Sequence, residues 1–593
     1  MFIVVPLISF FLFWSDFYQR HRDGRQAFVY ATVLWGLMIW FLTELLGYIH
    51  ALSLWPLAGG WALVSIVMGR GAFSHRESLF VLLLRRLKEL TLTEKFILFL
   101  IMTIVVLKGI SAFYSAPNTS DAMTYHLNRV EHWIQNRTLA YYPTHVARQL
   151  YSPPGAEYLI LQLRILSGGD HFSNAVQWFA AIGSMVAVSG LAWLLGAERK
   201  GQLLAGLLAA CLPMGLVQST STQTDYVLTF WLTAFVYLLW MMYRQPGWGA
   251  AVAAGASLGF AFLTKATAYL FVPTWLLVFI IAAFRAGNRP QWKLLALLIA
   301  VAFCLNLPYA LRNTQAFGKP TWSSQAPIND EKMSLPGIMS HTISNLAFHF
   351  SKTQSTGEDD TVNKFYLGML LIVLLGLCAY FPQRHKAYLI YALCLAVMFL
   401  VLSVVVKVYI FNVRYQLAIF VLSTALTGTV LAKWLPRQLV TAAAILIFIT
   451  SWNWLLKCNE HPLIGDRSIF VTDRLQQYFS TRPEMIDPYT QTVKFIASGN
   501  CRDIGLISNE NEWGYPWWVL FRQQFGDHFR LEDVEVKNET ASLHYPKGAF
   551  EPCGLIATND ERPTIVLPGM GTYARAGFLQ LREETMGIFV RVR

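Results

Sequence analysis

Five charged side chains stand at the edges of long apolar stretches of this sequence: Asp121, Asp225, Lys265, Arg312 and Arg414. Charges at such boundaries are costly and are functional candidates by default. Brought together, two carboxylates and three cations suit a substrate that carries a phosphate and a reacting hydroxyl. The cations would hold the anion, and a carboxylate would take the hydroxyl's proton. Taken singly, each has a blander reading, since Lys and Arg snorkel to a membrane surface and Asp caps helices. Tyr125, His126 and Glu157 are weaker candidates for contacting a substrate, and His126 also reads as a packed, hydrogen-bonded residue. No Cys/His spacing of a zinc site occurs. The pattern requires no metal, and a divalent cation is left open.

Asp121 belongs to the stretch Ser115 to His145, which follows one apolar segment and precedes another. At helical spacing from Ser120, Asp121, Tyr125, Asn128 and His132 fall on one side. Met123, Leu127, Val130 and Ile134 fall on the other. The pattern predicts an amphipathic helix on the membrane surface, capped by Thr119 or Ser120. Asp121 could then be a general base or merely part of the cap.

The elements that must position these groups are membrane helices. Of 593 residues, 55% are hydrophobic and only 14% charged, against about a quarter charged in soluble domains. Mean hydropathy is +0.42. The chain reads as a polytopic α-helical membrane protein with about 14 apolar segments between Phe2 and Leu456. Its net charge of +12 is loop bias, with no basic–aromatic run that would bind nucleic acid. The first residues, MFIVVPLISFFLFW, read as a retained anchor. Connections rich in Lys and Arg alternate along the chain, from Gln19–Arg25 to Lys433–Arg437, and counting spans puts them on one side, the cytoplasm. The five charges and the tail then lie outside. Arg129, Arg137, Arg148 and Arg164 break that rule, which suggests that they have a task.

After Leu456 polar composition returns. Asp503–Ser508, Gly554–Thr558, Thr564–Gly569 and Gly587–Val592 read as strands, and 492–497 and 517–525 as helical. This predicts a small α/β extracytoplasmic C-terminal domain that shapes access or stability and supplies no catalytic group. Cys501 and Cys553 flank predicted strands, so a disulfide fits an oxidising compartment. The expected organisation is residues 1–95 as N-terminal extra spans with a basic cytoplasmic loop. Residues 96–456 form a membrane catalytic domain with an outer loop at 115–170, and 457–593 the outer α/β domain.

The motifs SDAMTYH, TQTDYVLTF, LTKATAYLFVP, PYALRNTQAFGKP and VRYQLAIF, in that order over about residues 110–420, resemble the GT-C superfamily of membrane glycosyltransferases. The resemblance is to the family-39-like branch of protein O-mannosyltransferases and aminoarabinose transferases. It implies a polyprenyl-phosphate-linked sugar donor, a hydroxyl acceptor on a glycan, lipid or protein, and inverting single displacement at the outer face of a plasma (inner) membrane. By residue match, Asp121 would be the general base and Asp225 its assistant, with Lys265, Arg312 and Arg414 at the donor phosphate. The chain departs from the pattern at Ala122, where some branches carry a second acid, which puts metal dependence in doubt. The three segments before Phe96 have no counterpart. Rival readings are a polysaccharide ligase or polymerase using a diphosphate-linked donor, and a lipid-linked-sugar transporter or flippase. The latter predicts related halves, and none is evident.

Overall fold

The computed structural model describes residues 2–72, 79–285, 289–321, 334–350, 355–380, 386–409, 411–580 and 585–592. Parts of the basic connections at 70–95, 285–293 and 384–386, and of the outer connection 317–364, lie outside the described residues. Every predicted apolar segment is helical, but only eight helices among the described residues are long and apolar enough to cross a membrane. They are Gly24–Tyr48, Leu92–Tyr114, Ala175–Leu194, Asp225–Arg244, Ala268–Arg285, Gln291–Phe317, Lys386–Val405 and Leu417–Trp434. The protein is an integral membrane protein. The apolar segment at 203–217 is two helices, Arg199–Ala210 and Pro213–Gln218. Pro213 has no amide hydrogen to donate, so the first helix ends before it and a second starts on it.

Helix Asp225–Arg244 lies at the centre. Almost all of its residues are buried, and it packs on Ala175–Leu194, Trp248–Thr264 and Leu417–Trp434. The first helices are part of this bundle. Phe10 and Trp35 pack on Phe179, the Trp40 indole donates to Leu305 O at 3.1 Å, and Trp61 donates to Gln162 at 2.8 Å.

The tail forms a six-stranded mixed sheet of β1 (Asp503–Ile507), β2 (Arg530–Asp533), β3 (Gly554–Thr558), β4 (Thr564–Leu567), β5 (Gly571–Gln580) and β6 (Thr585–Arg591). Their order is β2-β1-β3-β6-β5-β4; β1 runs parallel to both neighbours and the remaining pairs are antiparallel. Strands β2 and β5 escape the sequence reading. β2 is short and charged, and β5 is rich in Gly and Ala and holds its place by pairing on both sides. Cys501 and Cys553 are disulfide-bonded, with Cα atoms 5.6 Å apart.

The helix after Asp121 departs from its predicted setting. It opens with a π-helical turn, Ala122–His126, and continues as Leu127–Asn136. Its polar side does not face water: Asn128 and His132 are as buried as Leu127 and Val130. The tail covers that side. Trp518 Nε1 donates to Asn128 at 2.6 Å, and Arg522 pairs with Glu131 at 2.7 Å. Gly514 lies so close to Asn128 that a Cβ there would stand 2.2 Å from its amide nitrogen. Asp170, at the far end of the outer loop, accepts from Arg474, Tyr478 and Tyr515 at 2.6–2.7 Å. The amphipathic period is real, but its polar face is a docking surface for the tail. A period shows that two faces differ and does not show what covers them.

Candidate active site

Asp121 follows helix Leu92–Tyr114 by a short extended link and stands at the start of the π-helical turn. Such turns often occur at functional sites. Its carboxylate caps nothing, and Thr119 Oγ1 is buried with no hydrogen-bond partner. Asp121 Oδ2 instead meets Arg414 Nη2 at 3.1 Å. Arg414 lies in the short helix Asn412–Tyr415, just ahead of span Leu417–Trp434. Its Nη1 lies 3.1 Å from Asp359 Oδ1 and its Nε 3.6 Å from Asp225 Oδ2. Asp225 opens its helix, and its other oxygen accepts from Lys265 Nζ at 2.6 Å. Lys265 ends helix Trp248–Thr264 and lies 4.7 Å from the Tyr415 ring centre, a cation–π contact.

Helix ends from distant parts of the chain thus bring three carboxylates and two cations to one end of the bundle. Glycine permits part of this approach: a Cβ on Gly155 would stand 2.9 Å from the Leu263 carbonyl, two residues before Lys265. Of the residues singled out in the sequence, Asp121, Asp225, Lys265 and Arg414 meet. Tyr125 is adjacent, its ring beneath the Arg148 guanidinium at 5.2 Å. His126 and Glu157 form a buried pair at 2.7 Å, with Arg129 Nη1 3.5 Å from the same carboxylate oxygen. Arg312 is elsewhere: it is bidentate to Glu44 at 2.7 and 2.9 Å and donates to the Tyr158 hydroxyl at 2.8 Å. Three of the four outer arginines that break the charge rule, Arg129, Arg148 and Arg164, have partners too. Arg164 pairs with Glu131 at 2.8 Å, and Arg148 donates to Asn511 at 2.7 Å.

One member, Asp359, escapes sequence reading, and Arg148 is singled out there without a role. Asp359 sits in TGEDD, a carboxylate just ahead of helix Lys364–Tyr380, which is the same signal that marks Asp225. Arg148 carries only the general signal of a cation on the wrong side.

The site's electrostatics favour an ionised Asp121. Burial pushes its carboxyl up, but Arg414, then His126, Lys265 and Arg148, hold it below the usual carboxylate range. Asp359 goes the other way: burial raises it, Asp121 and Asp225 repel its charge, and Arg414 offsets only part of this. Asp225 Oδ2 and Arg414 Nε are buried and make no hydrogen bond, although 3.6 Å apart. The two face each other within the cluster. Among the described residues no three His, Cys, Asp or Glu side chains come together as a metal site would need.

Comparison with known proteins agrees with this architecture. Residues 151–309, which include Glu157, Asp225 and Lys265, match the family model for dolichyl-phosphate-mannose-protein mannosyltransferase. The lipid A galacturonosyltransferase RgtD of Rhizobium johnstonii is 26% identical over 203 residues, 33% of this chain and 40% of that relative's length. The crystal structure of ArnT from Cupriavidus metallidurans bound to undecaprenyl phosphate is similar in fold, with a TM-score of 0.51 at 12% identity. The similarity covers 83% of this chain and 98% of ArnT. The apo form of that protein matches at 0.50 and 13% identity over the same shares. The chain thus shares the fold of the ArnT structures, and its matched segment and the relative are both similar to membrane glycosyltransferases of the GT-C superfamily.

Proposed function

We propose that the chain transfers a sugar from a polyprenyl-phosphate donor to a hydroxyl acceptor on a lipid or glycan, at the extracytoplasmic face of the plasma (inner) membrane. The observation that carries this is the cluster itself: Asp121, Asp225 and Asp359 share Arg414 and Lys265 with two polar atoms left unsatisfied. In this reading the acceptor oxygen attacks the sugar's anomeric carbon while Asp121 accepts its proton. The bond from that carbon to the phosphate oxygen breaks, the configuration inverts, and polyprenyl phosphate leaves. Lys265 and Arg414 would take up its charge, exchanging carboxylate partners for phosphate oxygens. Asp225 would orient Lys265, and the half-exposed Asp359 would yield its place on Arg414. His126 and Glu157, enclosed behind Tyr125, suit positioning better than direct contact.

The outward placement is supported by the basic connections at the opposite helix ends and by the disulfide of the tail. A cysteine at the exposed Ser120 should react with an impermeant thiol reagent added outside intact cells. Labelling only after permeabilisation would reverse the orientation. Activity is tested with purified protein and radiolabelled polyprenyl-phosphate sugars. Donor turnover by wild type but not by Asp121→Asn is the expected result. Turnover at an equal rate by both proteins would remove Asp121 from the reaction.

A further inference from the structure

The three carboxylates of the cluster stand on or just after irregular links. Residues 115–119 lead to Asp121, 219–224 lead to Asp225, and 355–363 contain Asp359. A helix sets its own backbone, whereas a link of this kind keeps one geometry only through partners elsewhere in the chain. One short stretch at the start of the tail, residues 458–461, bonds to all three. Glu358 N donates to Glu460 Oε1 at 3.0 Å, and Asn118 Nδ2 donates to the Glu460 carbonyl at 2.8 Å. His461 Nε2 donates to the Ala116 carbonyl at 3.0 Å, so its Nδ1 accepts from the Thr220 hydroxyl at 3.4 Å. Gln223 Nε2 then joins the second and third links by donating to Glu358 Oε2 at 3.1 Å. We propose that Glu460 and His461 are positioning residues of the transfer site, which hold these links together so that Asp121, Asp225 and Asp359 converge on Arg414.

Both residues are buried. Their bonds fix where each link runs, so they act through other groups, and their role rests on the glycosyl-transfer reading of the cluster. Lys265 and Arg414 sit instead at helix ends, those of Trp248–Thr264 and Asn412–Tyr415. Loosening the stretch therefore disturbs the carboxylates more than the cations that would hold the donor phosphate. Burial pushes the His461 imidazole down to about 3, so its hydrogen-bond pattern stays the same across the working pH range. Burial also raises the Glu460 carboxyl. What it offers Glu358 is reach and an acceptor, which an amide of equal length also has. The effect of losing that reach is large, since a misplacement of about 1 Å can cost on the order of 10²-fold in rate.

The test compares turnover per donor-binding site in purified full-length protein, with the radiolabelled polyprenyl-phosphate hexose or pentose that wild type turns over. Glu460→Asp keeps the charge but withdraws the carboxylate by one methylene, and should lower turnover by about 10–100-fold. Glu460→Gln keeps the reach and should stay within about threefold of wild type. His461→Ala should lose about as much as Glu460→Asp. His461→Gln, whose amide can still donate to Ala116, should recover most of that loss. Donor KM should change by less than about threefold in every variant. In His461→Ala the acid limb of kcat should also move to higher pH. Asp121 drawn away from Arg414, His126, Lys265 and Arg148 loses the groups that hold its carboxyl down against Glu358 and Asp359. A purely structural role would lower the number of donor sites and leave turnover per site, KM and that limb unchanged. Glu460→Asp carries the test if the histidine change disturbs folding. Full turnover in Glu460→Asp, an equal loss in Glu460→Gln, or an unmoved acid limb in a slowed His461→Ala would overturn the inference. If wild type turns over no donor, the transfer reading falls and this inference with it. Turnover by wild type that Glu460→Asp shares in full overturns this inference alone.

Discussion

Two arginines at the same end of the bundle show opposite designs. Arg312 has one partner carboxylate, engaged by both terminal nitrogens at hydrogen-bond distance. Arg414 has three carboxylates around it, two at 3.1 Å and one at 3.6 Å, and its Nε makes no hydrogen bond. The first is a closed pair whose geometry leaves little to gain from rearrangement. The second is over-subscribed: each carboxylate repels the others, so an incoming anion can replace one of them at modest cost. By the family resemblance both arginines carry the same expected role at a donor phosphate. Partner count and geometry separate them, and in the proposed reaction Arg414 is the cation that exchanges partners.

The sharpest way to break this comparison is to remove the base beside the open cluster. Asp121→Asn should lower transfer by about 10²–10⁴-fold with donor binding retained, because the amide fills the same space but cannot take a proton. Transfer assays alongside donor binding on one purified preparation decide it. Near-normal transfer would mean that the cluster is structural.

The next effect separates the two arginines directly. Arg414→Gln should weaken donor binding by about 10–100-fold, the worth of charge-assisted hydrogen bonds to a phosphate. Arg312→Gln should leave donor affinity within about threefold but lower stability by on the order of 3 kcal/mol, because Glu44 loses its only salt-bridge partner among the described residues. Equal losses of donor affinity would return Arg312 to the phosphate site.

A smaller effect lies in pH. The Asp121 carboxyl is held below its usual range, so it is ionised at neutral pH and loses its charge only as pH falls through that lowered value. The stability that this ion pair contributes follows the same course, complete above the ordinary carboxylate range and lost through the lowered one. The acid limb of the transfer rate at saturating donor should therefore lie at unusually low pH. Arg414→Gln removes the largest of the groups that hold the carboxyl down, and the limb should move up by about one unit. A limb that does not move would show that another group titrates.

The smallest effect concerns the start of the Asp121 helix. Thr119→Val keeps the shape and deletes a buried hydroxyl that has no hydrogen-bond partner. Thermal stability should change by less than about 0.5 kcal/mol, whereas loss of a working N-cap costs about 1 kcal/mol. The larger loss would restore the capping role and weaken the case that this turn is shaped for Asp121.

Much of the fold was legible because its cause is local. Apolar runs become helices in lipid since no other solvent-free arrangement satisfies their backbone, and the strands β1, β3, β4 and β6 show in β-branched runs between turns. Asp121, Asp225, Lys265 and Arg414 could be picked out because a charge at a membrane edge is conspicuous in one dimension. Asp359 carries the same mark, but Glu358 and Asp360 beside it dilute it into an ordinary polar loop.

What only tertiary structure decided is who meets whom. Arg414 reaches Asp121 across 293 residues of chain, and Arg312 reaches Glu44 across 268. Both contacts depend on the rotation and depth of packed helices, which hydropathy does not encode. The tail's burial of the polar face around Asn128 was hidden for the same reason: a polar face looks alike in sequence whether water or another domain satisfies it. Residue types thus determined that charges would gather at one end of a helical bundle. Packing determined which of them became a closed pair and which an open cluster, because a carboxylate's effect depends on distances of a few ångströms that sequence leaves unset.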